Sequence, residues 1–175
     1  MTRKVTFGLA SSVDNQIARR DHTYDWLVWD DEVAAISADF FQTIDTVVMG
    51  RKTYEVALKA GGWPATPGVQ NYVLSRTLEP GSDSRVEIVD EDAAAFVRRL
   101  KEQPGKGICV MGGGELARSL FEEGLIDELG LNVQPVILGE GIPLFHPMRT
   151  QIDLELLECR RLKNGSVYVL YRVKR

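Results

Sequence analysis

The chain has 175 residues, 44% of them hydrophobic and 26% charged, with 21 lysines and arginines against 25 acids and a net charge of −4. Such a chain reads as a soluble, single globular domain spanning residues 1–175, large enough to bury roughly 70% of the surface its unfolded form exposes. The acidic balance argues against a general nucleic-acid binder, and no uncharged run reaches the roughly 18 residues that a membrane span needs.

The N-terminus runs from Arg3 and Lys4 directly into an alternating strand over residues 5–10, without the apolar region of a signal peptide. Asp14-Asn15-Gln16 breaks that strand, and a polar loop carrying Tyr24, Trp26 and Trp29 follows. Val33, Ile36 and Phe40 then recur at helical spacing behind Asp30, Asp31 and Glu32, whose negative charges suit a helix N-terminus. Residues 46–49 read as a buried strand ending at Gly50, and residues 53–59 as a helix that stops at Gly61-Gly62. Strands are expected over 69–75 and 86–89. Asp90 is then the expected N-cap of a helix carrying Ala94, Phe96, Val97 and Leu100, which ends before Pro104-Gly105.

Residues 107–111 form a short apolar run, followed by Gly112-Gly113-Gly114 and by a helix over 115–121 with Leu116, Leu120 and Phe121 on one face. A strand, a glycine turn and a helix start can bring backbone N–H groups close to a phosphate at the positive end of the helix dipole. A tight turn without a ligand has the same residues, so the motif alone leaves both readings open. A β-rich segment follows over 126–138. Finally, residues 152–162 and 166–173 pair across Asn164-Gly165, a strong hairpin signal.

Strands alternating with helices and then closing in a hairpin predict a three-layer α/β/α fold with a mainly parallel sheet and an antiparallel C-terminal β-hairpin. Cys109 and Cys159 both sit in apolar runs and read as buried thiols, as in a reducing cytoplasm. With two histidines, His22 and His146, and no Cys/His cluster, no metal site is expected. The late basic residues Arg160, Arg161, Lys163, Arg172, Lys174 and Arg175 alternate along strands and read as a charged sheet face or edge.

Ligands of open α/β sheets bind beyond the carboxyl ends of the strands. Three such ends carry suitable chemistry: Gly50-Arg51-Lys52-Thr53, Leu74-Ser75-Arg76-Thr77 and the glycine triplet. Cations at a helix start oppose its dipole, so Arg51 and Lys52 are better placed with an anion beside them than without one. Arg51 and Arg76 could grip one phosphate, each through a bidentate fork.

Four segments in this order are Leu9-Ala10-Ser11-Ser12-Val13-Asp14-Asn15-Gln16-Ile17-Ala18, Val48-Met49-Gly50-Arg51-Lys52-Thr53-Tyr54-Glu55, Val73-Leu74-Ser75-Arg76 and Val110-Met111-Gly112-Gly113-Gly114-Glu115-Leu116. Together they resemble the signature segments of the dihydrofolate reductase superfamily. The chain is most similar to single-domain relatives of the reductase half of the bifunctional riboflavin-biosynthesis deaminase–reductase. The resemblance implies NADPH, extended along the carboxyl edge of the sheet beside Gly50 and Leu74. It implies that Arg51 and Thr53 meet the 2′-phosphate and pyrophosphate, and that Ser75 and Arg76 flank the adenine and its 2′-phosphate. Gly112, Gly113, Gly114, Glu115 and Leu116 would cradle the pyrophosphate, with a cis Gly112–Gly113 bond. Ala10 and Ile17 would contact the nicotinamide.

On the substrate side the resemblance is looser. The helix that carries a carboxylate in dihydrofolate reductases offers Ala34 and Ser37 here, and Met111 precedes the glycines where the riboflavin-pathway reductase has an acid. Asp14, the candidate catalytic residue, could bond a substrate or shape a turn. Asn132 could contact substrate or be satisfied by its neighbours, and Trp26 could stack on a planar ring or anchor the loop. The reading is an NADPH-dependent reductase transferring hydride to a small pterin- or aminopyrimidine-like heterocycle, probed against two alternatives. One is the riboflavin-pathway reaction, which reduces a ribosyl aminopyrimidine phosphate; the other is a non-catalytic NADPH-binding sensor. The late apolar strands and the resemblance also imply a cytoplasmic homodimer.

Overall fold

The computed structural model describes residues 2–61, 67–81 and 83–175. The elements are β1 (Val5–Ser12), β2 (Gln16–Ala18), α1 (Asp31–Gln42), β3 (Ile44–Gly50), α2 (Arg51–Lys59), β4 (Gln70–Leu74), β5 (Glu87–Val89), α3 (Ala93–Glu102), β6 (Gly107–Val110), α4 (Gly114–Glu122), β7 (Glu128–Gln134), β8 (Ile142–Pro143), β9 (Leu154–Arg161) and β10 (Val167–Val173). Eight strands form one sheet in the order β5-β4-β3-β6-β1-β7-β10-β9, while β2 and β8 pair separately. From β5 to β7 every pairing is parallel, and β10 runs antiparallel to both β7 and β9.

The register explains the layers. Thr6, Cys109 and Val47 are aligned across β1, β6 and β3 and share one face. There Val47, Met49, Val73 and Cys109 pack with Phe40 and Phe41 of α1 and Tyr54 of α2. On the other face Val5, Phe7, Val48, Ile108 and Val110 pack with Phe96, Val97 and Leu100 of α3 and Leu120 and Phe121 of α4. Phe7 is wholly buried and meets Phe121 and Phe145 at centroid distances of 6.0 and 6.4 Å. Truncating such a side chain costs about 3–5 kcal/mol, so Phe7 is a keystone of this layer. The fold is therefore a three-layer α/β/α sandwich with a parallel centre and an antiparallel C-terminal hairpin.

At the amino edge of the sheet, Arg3 is buried and donates to Thr46 Oγ1 at 2.6 Å, to the Lys106 carbonyl at 2.7 Å, and to Asp45. It ties β1, β3 and the entry to β6 together on the side away from the strands' carboxyl ends. Among the described residues, no helix is long and apolar enough to cross a membrane.

Several local expectations are corrected. The N-cap of α3 is Asp92, which accepts from Ala95 N at 2.9 Å, because the helix starts at Ala93 and Asp90 lies too far upstream. The second helix starts at Arg51, directly after the strand; its expected stop includes Gly62, which lies outside the described residues. Cys109 is buried but Cys159 is exposed, since β9 is the outermost strand and has no layer over that position. The Gly112–Gly113 bond is trans. The late basic residues are exposed, as expected, with Arg160 on Glu158 at 2.6 Å and Arg172 on Glu155 at 3.1 Å.

Candidate functional site

The carboxyl ends of β1, β3, β4, β6 and β7 lie along one edge. Gly50 pairs in register with Leu74, and Val48 with Val110, so the strands leading to the three motifs lie side by side. The motifs also touch each other. Arg51 donates from Nη1 to Thr77 Oγ1 at 2.6 Å and from Nε to Glu55 at 2.5 Å, which joins the start of α2 to the turn after β4. Ser75 Oγ shapes that turn by accepting from Thr77 N at 3.2 Å and Leu78 N at 3.1 Å. Arg76 lies exposed in the same turn and forms no ion pair among the described residues.

The glycine triplet adjoins α2. A Cβ on Gly112 would stand 2.6 Å from Thr53 Oγ1, and the residue sits at φ +65°, where an L side chain is strained. Gly113 caps α4 at φ +80° with no side chain in the capping position, and Gly50 likewise caps α2 without a side-chain bond. Two helix N-termini thus present backbone N–H groups at the same edge, a ready anion cradle. Gly114 has a packing reason instead: a Cβ there would meet His146 at 2.8 Å and the Leu144 carbonyl at 2.9 Å. Glu115 is exposed in the first turn of α4, and Leu116 lies 3.6 Å from the position of a Gly113 Cβ.

Beside this cradle the central strand is open. Gly8, Leu9 and Ala10 are only half-buried although both ends of β1 are buried, and a Cβ at Gly8 would meet nothing within 4 Å. Ile17, on β2, packs against the core next to this opening. Ala10 is in register with Asn132 and Ser12 with Gln134, so β7 lines the same opening.

Asp14 is committed to the loops around it. Its carboxylate accepts from Ser12 Oγ at 2.6 Å, Leu138 N at 3.1 Å and Gly139 N at 2.8 Å. The Ser12 hydroxyl, with the two backbone donors, holds its pKa below the ordinary carboxylate value, so it stays ionised at neutral pH and has no proton to give. Of the two readings of Asp14, this geometry carries the turn-shaping one. Asp30 caps α1 through Val33 N at 3.0 Å, and Glu32 accepts from Lys163 N at 2.8 Å.

Trp26 is half-buried, whereas Tyr24 and Trp29 are exposed and pack into no core. Asn132 Oδ1 is buried without a partner among the described residues, so the neighbouring backbone does not satisfy it. Two residues escaped the sequence reading. Thr77, the partner of Arg51, stood in the quoted motif but without a role; Gln134 lies two positions beyond Asn132 on the same strand face, and period-two alternation could have found it.

Comparison with known proteins identifies the family. The RibD C-terminal domain model matches residues 3–168. The uncharacterized protein YwjB of Bacillus subtilis is 39% identical, with 99% of each chain covered. A candidate riboflavin-biosynthesis protein of Shewanella sp. PV-4 superposes at a TM-score of 0.84 with 24% identity and full coverage of both chains. The Thermotoga maritima deaminase/5-amino-6-(5-phosphoribosylamino)uracil reductase superposes at 0.74 with 16% identity, over 99% of this chain and 57% of that one. Those two likenesses speak for the fold, and the family match spans nearly the whole sequence: the chain belongs to the RibD C-terminal domain family.

Proposed function

We propose that the chain is an NADPH-dependent oxidoreductase acting on a small pterin- or aminopyrimidine-like heterocycle, with residues 1–175 working as one reductase domain. The observation that carries this reading is the cradle at Gly112 and Gly113 beside Thr53, next to the open middle of β1. A side chain at Gly112 would fill that cradle, and the two uncapped helix starts offer N–H donors where a pyrophosphate needs them. These residues fit a dinucleotide. NADPH supplies a hydride from its reduced nicotinamide when bound.

The chain's own residues bind, orient and exclude water. Arg76 and Arg51 hold the 2′-phosphate, with Ser75 and Leu74 beside the adenine. Thr53 and residues 112–116 hold the pyrophosphate. Ala10 and Ile17 would flank the nicotinamide, leaving the space beside Gly8 for the substrate ring, with Trp26 and Asn132 as its candidate contacts. A second reading, reduction of a ribosyl aminopyrimidine phosphate, is favoured by the family match.

The test is a fluorescence titration with NADPH, followed by NADPH oxidation against dihydrofolate, a ribosyl aminopyrimidine phosphate and simple carbonyl compounds. Oxidation with a heterocycle supports the first reading, and oxidation only with the ribosyl phosphate supports the second. Binding without oxidation across the panel points to a sensor. Absence of binding overturns the proposal.

A further inference from the structure

His146 packs the Cδ2–Nε2 edge of its ring on Gly114, the first residue of α4. A Cβ at Gly114 would stand 2.8 Å from that Cδ2 and 3.1 Å from Nε2. The chain on either side holds the imidazole there. Leu144 is wholly buried and donates its N–H to the Asn15 carbonyl at 2.8 Å, and Phe145 meets Phe7 and Phe121 at centroid distances of 6.4 and 6.3 Å. Beyond the imidazole, Arg149 N donates at 3.1 Å to Glu122, the last residue of α4. The segment therefore runs along the helix, with His146 beside its N-terminus.

The imidazole is half-buried, and it forms no hydrogen bond or ion pair among the described residues. Its nitrogens are not sealed from solvent, unlike Asn132 Oδ1. A neutral imidazole carries one N–H donor and a protonated one carries two. Gly113 caps α4 without a side-chain bond, so the first N–H groups of the helix likewise lack a side-chain partner. A ring N–H at the positive end of a helix joins other donors, and an anion is what gives them all a partner. Glycine at 114 costs the helix stability relative to alanine, and what its missing side chain admits is this ring. We propose that His146 is a cofactor-binding residue whose ring N–H donates to the pyrophosphate at the start of α4. This rests on the NADPH reading and adds a side chain to a cradle otherwise made of backbone and Thr53. Arg76 serves the 2′-phosphate, whereas His146 serves a part that NADPH and NADH share.

Two variants separate a donor from a packing ring. His146→Phe keeps a flat ring on Gly114 without an N–H, and should weaken NADPH and NADH alike, each about tenfold in fluorescence titrations. His146→Gln supplies an amide N–H and should stay within about threefold of wild type. A packing role predicts the reverse order, with binding kept by the phenylalanine variant and lost by the glutamine variant. The chain has only two histidines, His22 and His146. Selective isotope labelling of histidine therefore lets NMR follow each imidazole in the wild-type protein, whether or not a variant folds. The ring nitrogens of His146 should shift when NADPH or NADH is added. Unchanged affinity in His146→Phe, a loss confined to NADPH, or a His146 signal that NADPH leaves in place overturns the proposal while leaving the NADPH reading intact. Failure of NADPH to bind the wild-type protein overturns both.

Discussion

The guanidinium of Arg51 bonds the hydroxyl of Thr77 at 2.6 Å, so the start of α2 and the turn after β4 form one cationic rim. Arg51 is further occupied by Glu55, whereas its neighbour across the rim, Arg76, is exposed and unpaired among the described residues. Arg76 is therefore the freer of the two to take a phosphate. An arginine–phosphate contact contributes about 1.5–3 kcal/mol, so Arg76→Ala should raise the NADPH dissociation constant about tenfold or more. NADH, which lacks the 2′-phosphate, should bind Arg76→Ala as it binds wild type. Fluorescence titration checks both, and equal losses for the two nucleotides would remove Arg76 from the 2′-phosphate.

Gly112 is fixed by two constraints at once, a left-handed backbone and the Thr53 hydroxyl 2.6 Å from where a Cβ would stand. Gly112→Ala should destabilise the fold by about 1–3 kcal/mol in chemical denaturation. It should also weaken NADPH binding, because relief of the clash moves the start of α4 away from α2. Unchanged nucleotide affinity in a destabilised variant would make the triplet a turn and nothing more.

The acid limb of stability should involve Asp14. Its folded pKa lies below its unfolded value, chiefly through the Ser12 hydroxyl, so its contribution is present above the unfolded pKa and is lost as pH falls through the folded one. The melting temperature should drop on acidification below about pH 4, and Asp14→Asn should drop less steeply from a lower neutral-pH value. Parallel slopes in a pH series of thermal melts would assign the acid limb to other carboxylates.

The β9 edge leaves Leu156 54% and Leu157 37% exposed beside the exposed Cys159. Such an apolar edge strand suits a second copy of the chain, as the homodimer reading expects. Light scattering should give the mass of a dimer, and Leu156→Asp should shift it to monomer. A wild-type monomer at micromolar concentration would contradict this.

Much of the fold was legible because its signals are local. Asn164-Gly165 announces the hairpin, and the buried strands β3 and β6 carry the short apolar runs Val47-Val48-Met49 and Ile108-Cys109-Val110. The edge bearing Arg51, Arg76 and the glycines was legible because strand ends carry their chemistry in short contiguous motifs. What escaped depends on tertiary neighbours. The three- and two-residue strands β2 and β8 are too short for any period to show. Cys159 follows Leu156 and Leu157, but only sheet order makes β9 the outermost strand. Three acidic residues in succession, Asp90-Glu91-Asp92, hid which one caps α3. The burial of Arg3 shows only once Asp45 and Thr46 are seen to enclose it. Gln134 Nε2, buried with no partner among the described residues, has no sequence signature, because alternation gives its face but not the direction of its nitrogen.

The most direct measurement is a crystal structure of the protein with NADPH. The account predicts the pyrophosphate against the N–H groups of Gly112–Gly114, the 2′-phosphate on Arg76, and the nicotinamide at Ala10 facing the space beside Gly8. A nucleotide bound away from these residues, or crystals that take up none at saturating NADPH, would contradict it.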